Sequence, residues 1–242
     1  MTKHRDILSD EMARQRIEGS SYLRYIYTEI YSEFFQIISC NKDLRVLEIG
    51  SGGTSFAKNF WPNALETNYS LDGGMEAERL EFKDNSFDLI IAKDVLHHIK
   101  DIPQAFHEFG RVLSRNGKVV ASEPSWSILG RFVYKFLHEE PWKVNDVFIL
   151  DTRDPWDSNQ ALIFNLRRLD SAQRSKVLGN FTMKILRSTY GLSYLISGGV
   201  HSQTKISPKV LESCHRKLGR VTRKFDWLFS LNRIVLFEKS VK

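Results

Sequence analysis

The stretch Val46-Leu47-Glu48-Ile49-Gly50-Ser51-Gly52-Gly53 decides how this chain is read. A short run of strand-forming residues drops straight into glycines. Glycine there lets backbone approach a bound molecule with no Cβ in the way. The order predicts a strand, a tight turn and then a helix over 55–60. Alone, the turn is a weak signal, because many α/β proteins tighten a strand-to-helix step with glycine. It is not Gly-x-Gly-x-x-Gly: Ser55 stands at the last place, which does not favour a pyrophosphate on a helix N-terminus.

Two more strands read outward from it, Phe87-Asp88-Leu89-Ile90-Ile91-Ala92 and Lys118-Val119-Val120-Ala121-Ser122. Between them, residues 103–113 place Ala105, Phe106, Phe109, Val112 and Leu113 at helical spacing, and Asn116-Gly117 marks the step into the next strand. Apolar and aromatic residues over 10–40 also fall at helical spacing. A terminal strand is predicted at 234–238 and another around 183–186. Strands alternating with helices imply α/β: a mostly parallel, doubly wound sheet with helices on both faces. Residues 125–180 break the rhythm with Trp126, Trp142 and Trp156 among Asp, Asn and Pro turns. They read as an aromatic-rich insertion. Such an insertion after a strand is placed either to lid a ligand at the strands' carboxyl ends or to form a satellite cluster under a loop.

The 242 residues suit one domain, divided into an N-terminal helical cap (1–43), a cofactor-binding half (44–125), an insertion (126–180) and C-terminal strands with a basic helix (181–242). Two cysteines, Cys40 and Cys214, support neither a disulfide framework nor a zinc cluster. The N-terminal residues are polar and charged, and no stretch approaches the ~20 apolar residues of a membrane span. A cytoplasmic setting is the expectation, with peripheral membrane contact left open. The net charge of +6 is unevenly spread. Residues 203–242 carry ten basic and three acidic side chains, leaving the rest nearly neutral. Within them, 207–230 reads as an amphipathic helix. A solvated basic face over a core-facing stripe ranks first, and contact with anionic membrane is the minority use.

Four segments in order carry a resemblance: the glycine-turn strand, residues 76–90, Asp94-Val95-Leu96-His97-His98-Ile99, and Arg111-Val112-Leu113-Ser114-Arg115-Asn116-Gly117-Lys118-Val119. Together, over about residues 44–125, they resemble class I S-adenosylmethionine-dependent methyltransferases of the small-molecule "type 11" branch. Residues 131–141 and 193–199 look like a subgroup of such proteins. The resemblance implies a Rossmann-like sheet of seven strands with an antiparallel C-terminal strand, and S-adenosyl-L-methionine as cofactor. It places Glu48, Gly50, Ser51 and Gly52 along the cofactor. It sets Asn68, or alternatively Asp72, at the ribose, Glu76 and Ala77 at adenine, and Lys93 and Asp94 by the methionine amine. No metal is implied. Asn68 stands where the family has an acid, and the loop around it is several residues short.

Methyl transfer from a sulfonium is an in-line displacement, so a base matters only for acceptors that must lose a proton. His97, His98 and Glu123 are the catalytic candidates for an oxygen acceptor, with His138 a further group to test. As helix neighbours His97 and His98 would face about 100° apart, leaving one to pack or cap. Glu123 is expected at the sheet's carboxyl edge, near the transferred methyl or as a solvated strand end. The expected acceptor is a small molecule or one linked to saccharide or lipid. The alternative is a non-catalytic methyltransferase-like protein with weakened cofactor binding. A nicotinamide dehydrogenase is disfavoured: no tyrosine has lysine four residues on. Nucleic acid is disfavoured too, since no recognition module is appended.

Overall fold

A computed structural model describes residues 10–52, 54–67, 75–138, 140–151, 158–188, 191–200 and 204–240. Two helices, α1 (Asp10–Gly19) and α2 (Ser21–Ile37), precede the sheet. The helical pattern over 10–40 is thus broken at Ser20, whose hydroxyl caps α2 by accepting from the Leu23 N–H.

The strands are β1 (Val46–Ile49), β2 (Leu65–Thr67), β3 (Phe87–Lys93), β4 (Leu113–Pro124), β5 (Phe181–Ser188) and β6 (Asn232–Lys239). They form one sheet in the order β2-β1-β3-β4-β6-β5. Pairing is parallel from β2 through β4, and β6 runs antiparallel to both its neighbours. β4 starts earlier than the sequence suggests, taking in Asn116-Gly117 through a register shift against β3.

Side chains alternate along every central strand, and both sets are apolar. Leu47, Ile90, Val119 and Val235 face one core with α3 (Ile102–Val112), α5 (Leu162–Arg168) and α6 (Ser171–Leu178). Val46, Leu89, Val120 and Ile234 face the other with α2, Trp61 and Leu211. Period-two alternation with two apolar faces is what a doubly wound sheet requires.

Two expectations are corrected. The described sheet has six strands rather than seven. Between β2 and β3, described residues 75–86 hold Glu76, Glu78, Glu81 and Asp84 but no Val, Ile or Thr, and they run as turns and bends. The helix over 55–60 is a single 3-10 turn, Ala57–Asn59. Too short to sustain itself, it is followed by Trp61-Pro62, which breaks helical continuation.

The insertion holds α4 (Ile128–Phe132), capped by the Ser127 hydroxyl and running into a π-turn at Val133–Leu137, then α5 and α6. A lone bridge between Asp101 and Ile149 ties it to the start of α3. Tyr134 and Trp142 stack with planes 9° apart. Three more helices follow: α7 (Leu192–Ser197), α8 (Pro208–Lys224) and α9 (Asp226–Phe229). The amphipathic reading of 207–230 holds in part. Leu211 is buried, but Val210 (52% exposed), Val221, Phe225 and Trp227 (57%) stand at the surface.

Candidate active site

The carboxyl ends of β1, β3 and β4 open into a cavity of about 560 Å³, of the size that small-molecule sites have. The glycine turn forms one end. Gly50 and Gly52 have φ of +65° and +59°, a region glycine enters without strain. The N–H groups of Gly50 and Ser51 both donate to the Thr67 carbonyl, at 2.8 and 3.1 Å, which folds the turn over the end of β2. A Cβ on Gly50 would lie 2.3 Å from Val95 Cγ2, so no side chain fits there.

Glu48 lies buried in this end of the cavity. Its carboxylate accepts from the hydroxyls of Tyr31 and Ser55. Burial raises its pKa to about 7, against the pull of those two donors. Thr54 Oγ1, also on the cavity wall, is buried with no hydrogen-bond partner. Glu76 and Ala77 line the same end.

At the end of β3, Lys93 Nζ lies 2.6 Å from Asp94 Oδ2 and 4.2 Å above the Tyr27 ring. Burial opposes the Lys93 charge, but Asp94 outweighs it and holds the amine above its usual range. Asp94 takes φ +55°, a left-handed turn that Asp tolerates better than most residues. Its other oxygen accepts from the Asn232 amide, whose Oδ1 lies 2.7 Å from the Tyr134 hydroxyl. This chain of contacts joins β3, β6 and the insertion.

The far end gathers His97, His98 and Glu140 on one wall. His97 and His98 sit on a 3-10 turn, Leu96–His98, rather than an α-helix. Their rings lie 4.3 Å apart and both line the cavity, so the expectation that one faces away is corrected. Glu123 is 0% exposed and is not a solvated strand end. Its carboxylate accepts from the N–H groups of Val95 (3.1 Å) and Leu96 (2.7 Å) and lies 2.6 Å from His97 Nδ1. Glu123 therefore acts on the cavity through His97. Burial works against charge on His97, yet Glu123 and then Glu140 raise its pKa to about 10. Burial, with the His97 charge beside it, lowers His98 to about 4. Burial would raise Glu140, but His97 holds it below the usual carboxylate range.

Ser51 and His138 thus share one cavity with Glu48, Gly50, Gly52, Glu76, Ala77, Lys93, Asp94, His97 and His98, while Glu123 stands behind His97. Asn68 and Asp72 lie outside the described residues. Sequence reasoning missed Tyr31, Ser55, Tyr134, Gln160 and Asn232. These come from other elements, and no local pattern marks them. Tyr134 and Glu140 fall within the stretch 131–141 that resembles the subgroup, a resemblance that assigns neither a role.

A doubly wound sheet with a glycine turn under a carboxyl-end cavity defines a cofactor-binding α/β domain. Residues 56–121 match the family model described as a methyltransferase domain, a span that starts just after the glycine turn. The matched span supports a class I S-adenosylmethionine-dependent methyltransferase domain of the type 11 branch. It is 29% identical over 119 residues to the uncharacterized methyltransferase YcgJ of Bacillus subtilis, covering 39% of this chain and 47% of YcgJ. It is 26% identical over 131 residues to phosphoethanolamine N-methyltransferase 3 of Arabidopsis thaliana, 45% of this chain and 27% of that protein. The chain thus spans less than half the length of these curated relatives. Among solved structures, YcgJ superposes with a TM-score of 0.47 at 17% identity, covering 87% of this chain and 97% of that one. A SAM-dependent methyltransferase from Archaeoglobus fulgidus gives 0.46 at 11%, covering 88% and 94%.

Proposed function

We propose that this protein transfers a methyl group from S-adenosylmethionine to a small-molecule, saccharide-linked or lipid-linked acceptor by in-line displacement. The observation that carries the reading is the single cavity joining the glycine turn to the His97–His98–Glu140 wall. The residues present fit the cofactor: the turn glycines Gly50 and Gly52 on the cavity wall, the buried Glu48 carboxylate, and the unpartnered Thr54 hydroxyl. When bound, the cofactor supplies a methyl group made electrophilic by a positive sulfur. The chain's own contribution is placement and exclusion of water. Tyr134 and Glu140 of the insertion close over the far end, where His97 and His98 face the acceptor and Glu123 positions His97. The resemblance to phosphoethanolamine N-methyltransferases supports a small acceptor.

Calorimetry with S-adenosylmethionine tests the reading. Saturable heat is expected, and Gly52→Phe should abolish it while the fold survives. No heat and no thermal shift at millimolar cofactor would sink it and favour the non-catalytic alternative. The exposed Val210, Val221 and Trp227 among the lysines and arginines of 207–230 support a peripheral role on anionic membrane. Absence of co-sedimentation with anionic vesicles would remove that use. Among the described residues, no helix is long and apolar enough to cross a membrane.

A further inference from the structure

His97, His98 and Glu140 offer two imidazole nitrogens and a carboxylate oxygen, all within 4.8 Å of one another. Glu140 Oε2 lies 3.5 Å from His97 Nε2, and Glu140 Oε1 lies 3.7 Å from His98 Nε2. Both separations exceed an ordinary hydrogen bond. They approach the edge of a tetrahedron of donors about 2.0–2.1 Å from a central zinc ion, which is roughly 3.3–3.4 Å. The surroundings are arranged as around a metal. Nδ1 of His97 is held by Glu123, so an ion that displaces the second ring proton would meet the lone pair on Nε2, on the cavity side. Glu123 is itself fixed by two backbone N–H groups. Glu140 Oε2 accepts from the Ser158 hydroxyl (2.6 Å) and from the Gln160 amide, which fixes the carboxylate with Oε2 toward His97 and Oε1 toward His98.

We propose that His97 Nε2, His98 Nε2 and Glu140 bind a divalent transition-metal ion, zinc foremost, with its fourth position open to the cavity. Two histidines and one carboxylate are a donor set that first-row ions take with a place left for exogenous oxygen. The open position would receive water or an oxygen of the acceptor. That use rests on the methyl-transfer reading; binding of the ion does not.

The test is titration of chelator-treated protein with Zn(II) against a chromophoric competitor, and with Co(II) read by its visible absorption. One equivalent is expected to bind, and Co(II) should show the intense bands of a four-coordinate site. His98→Gln and Glu140→Gln should each weaken binding at least a hundredfold. Glu123→Gln, which alters only the support of His97, should weaken it about 10–100-fold. His107→Ala, on the exposed face of α3, should leave affinity unchanged. Circular dichroism reports whether each variant is folded. No saturable binding to the unaltered protein at micromolar ion would overturn the proposal without reference to any variant. So would affinity that survives both His98→Gln and Glu140→Gln in folded protein. Calorimetry with S-adenosylmethionine on the same metal-free protein is read separately. Cofactor binding without ion binding removes the metal site alone, and the converse removes the methyl-transfer reading alone.

Discussion

Glu48 is held by two hydroxyls in a site that burial makes expensive for charge. Its pKa is raised from 4.5 to about 7, so the folded state holds this proton more tightly than the unfolded chain does. Stability from this group therefore falls as pH rises from about 4.5 to 7 and is level above. Glu33 is raised in the same way by burial. Glu48→Gln should flatten only its own share of the slope, measured as urea midpoints across that window. Tyr31→Phe should cost about 1–3 kcal/mol by removing a donor to a buried carboxylate, and should weaken cofactor binding in calorimetry. Asp88 has the opposite sign. Arg45 grips it through its guanidinium and its backbone N–H, and holds its pKa down to about 2. That stability is complete above about pH 4 and is lost as pH falls through 2. Asp88→Asn should cost about 1–2 kcal/mol at pH 7, and little below pH 2.

At the scale of elements, the caps and turns set where the site's walls stand. α2 carries Tyr27 and Tyr31 to the cavity, and its first turn depends on Ser20. Ser20→Ala should cost about 1 kcal/mol in chemical denaturation. Strands β1, β3 and β4 were legible in sequence because alternation and β-branched runs are local signals. Glu48, the turn glycines, Lys93 and Asp94 were legible as cavity residues because they end those strands. The two histidines were misjudged because backbone spread does not fix where a side chain ends: neighbours on a 3-10 turn stand about 120° apart, yet both rings reach the cavity wall with centroids 4.3 Å apart. Tyr134, Glu140, Gln160 and Asn232 reach the cavity from segments far apart in the chain. Only tertiary packing joins them, so periodicity could not reveal them. The seventh strand was implied by the resemblance alone, and the described residues between β2 and β3 are acid-rich turns with no strand among them.

The whole molecule is a sheet buried on both faces, and its stability is shared between two cores. Phe109 is fully buried where α3 packs on the sheet. Phe109→Ala should cost about 3–5 kcal/mol, seen as a lowered thermal midpoint. The order β4-β6-β5 carries a further consequence. Among the described strands β5 pairs only with β6, yet α7, α8 and α9 separate the two in the chain. On the ribosome, β5 leaves the exit tunnel with no partner strand available. Its backbone amides stay open to exchange until β6 emerges and slots in beside β4. Synthesis can therefore complete the parallel half, with the glycine turn, well before the far half of the sheet closes.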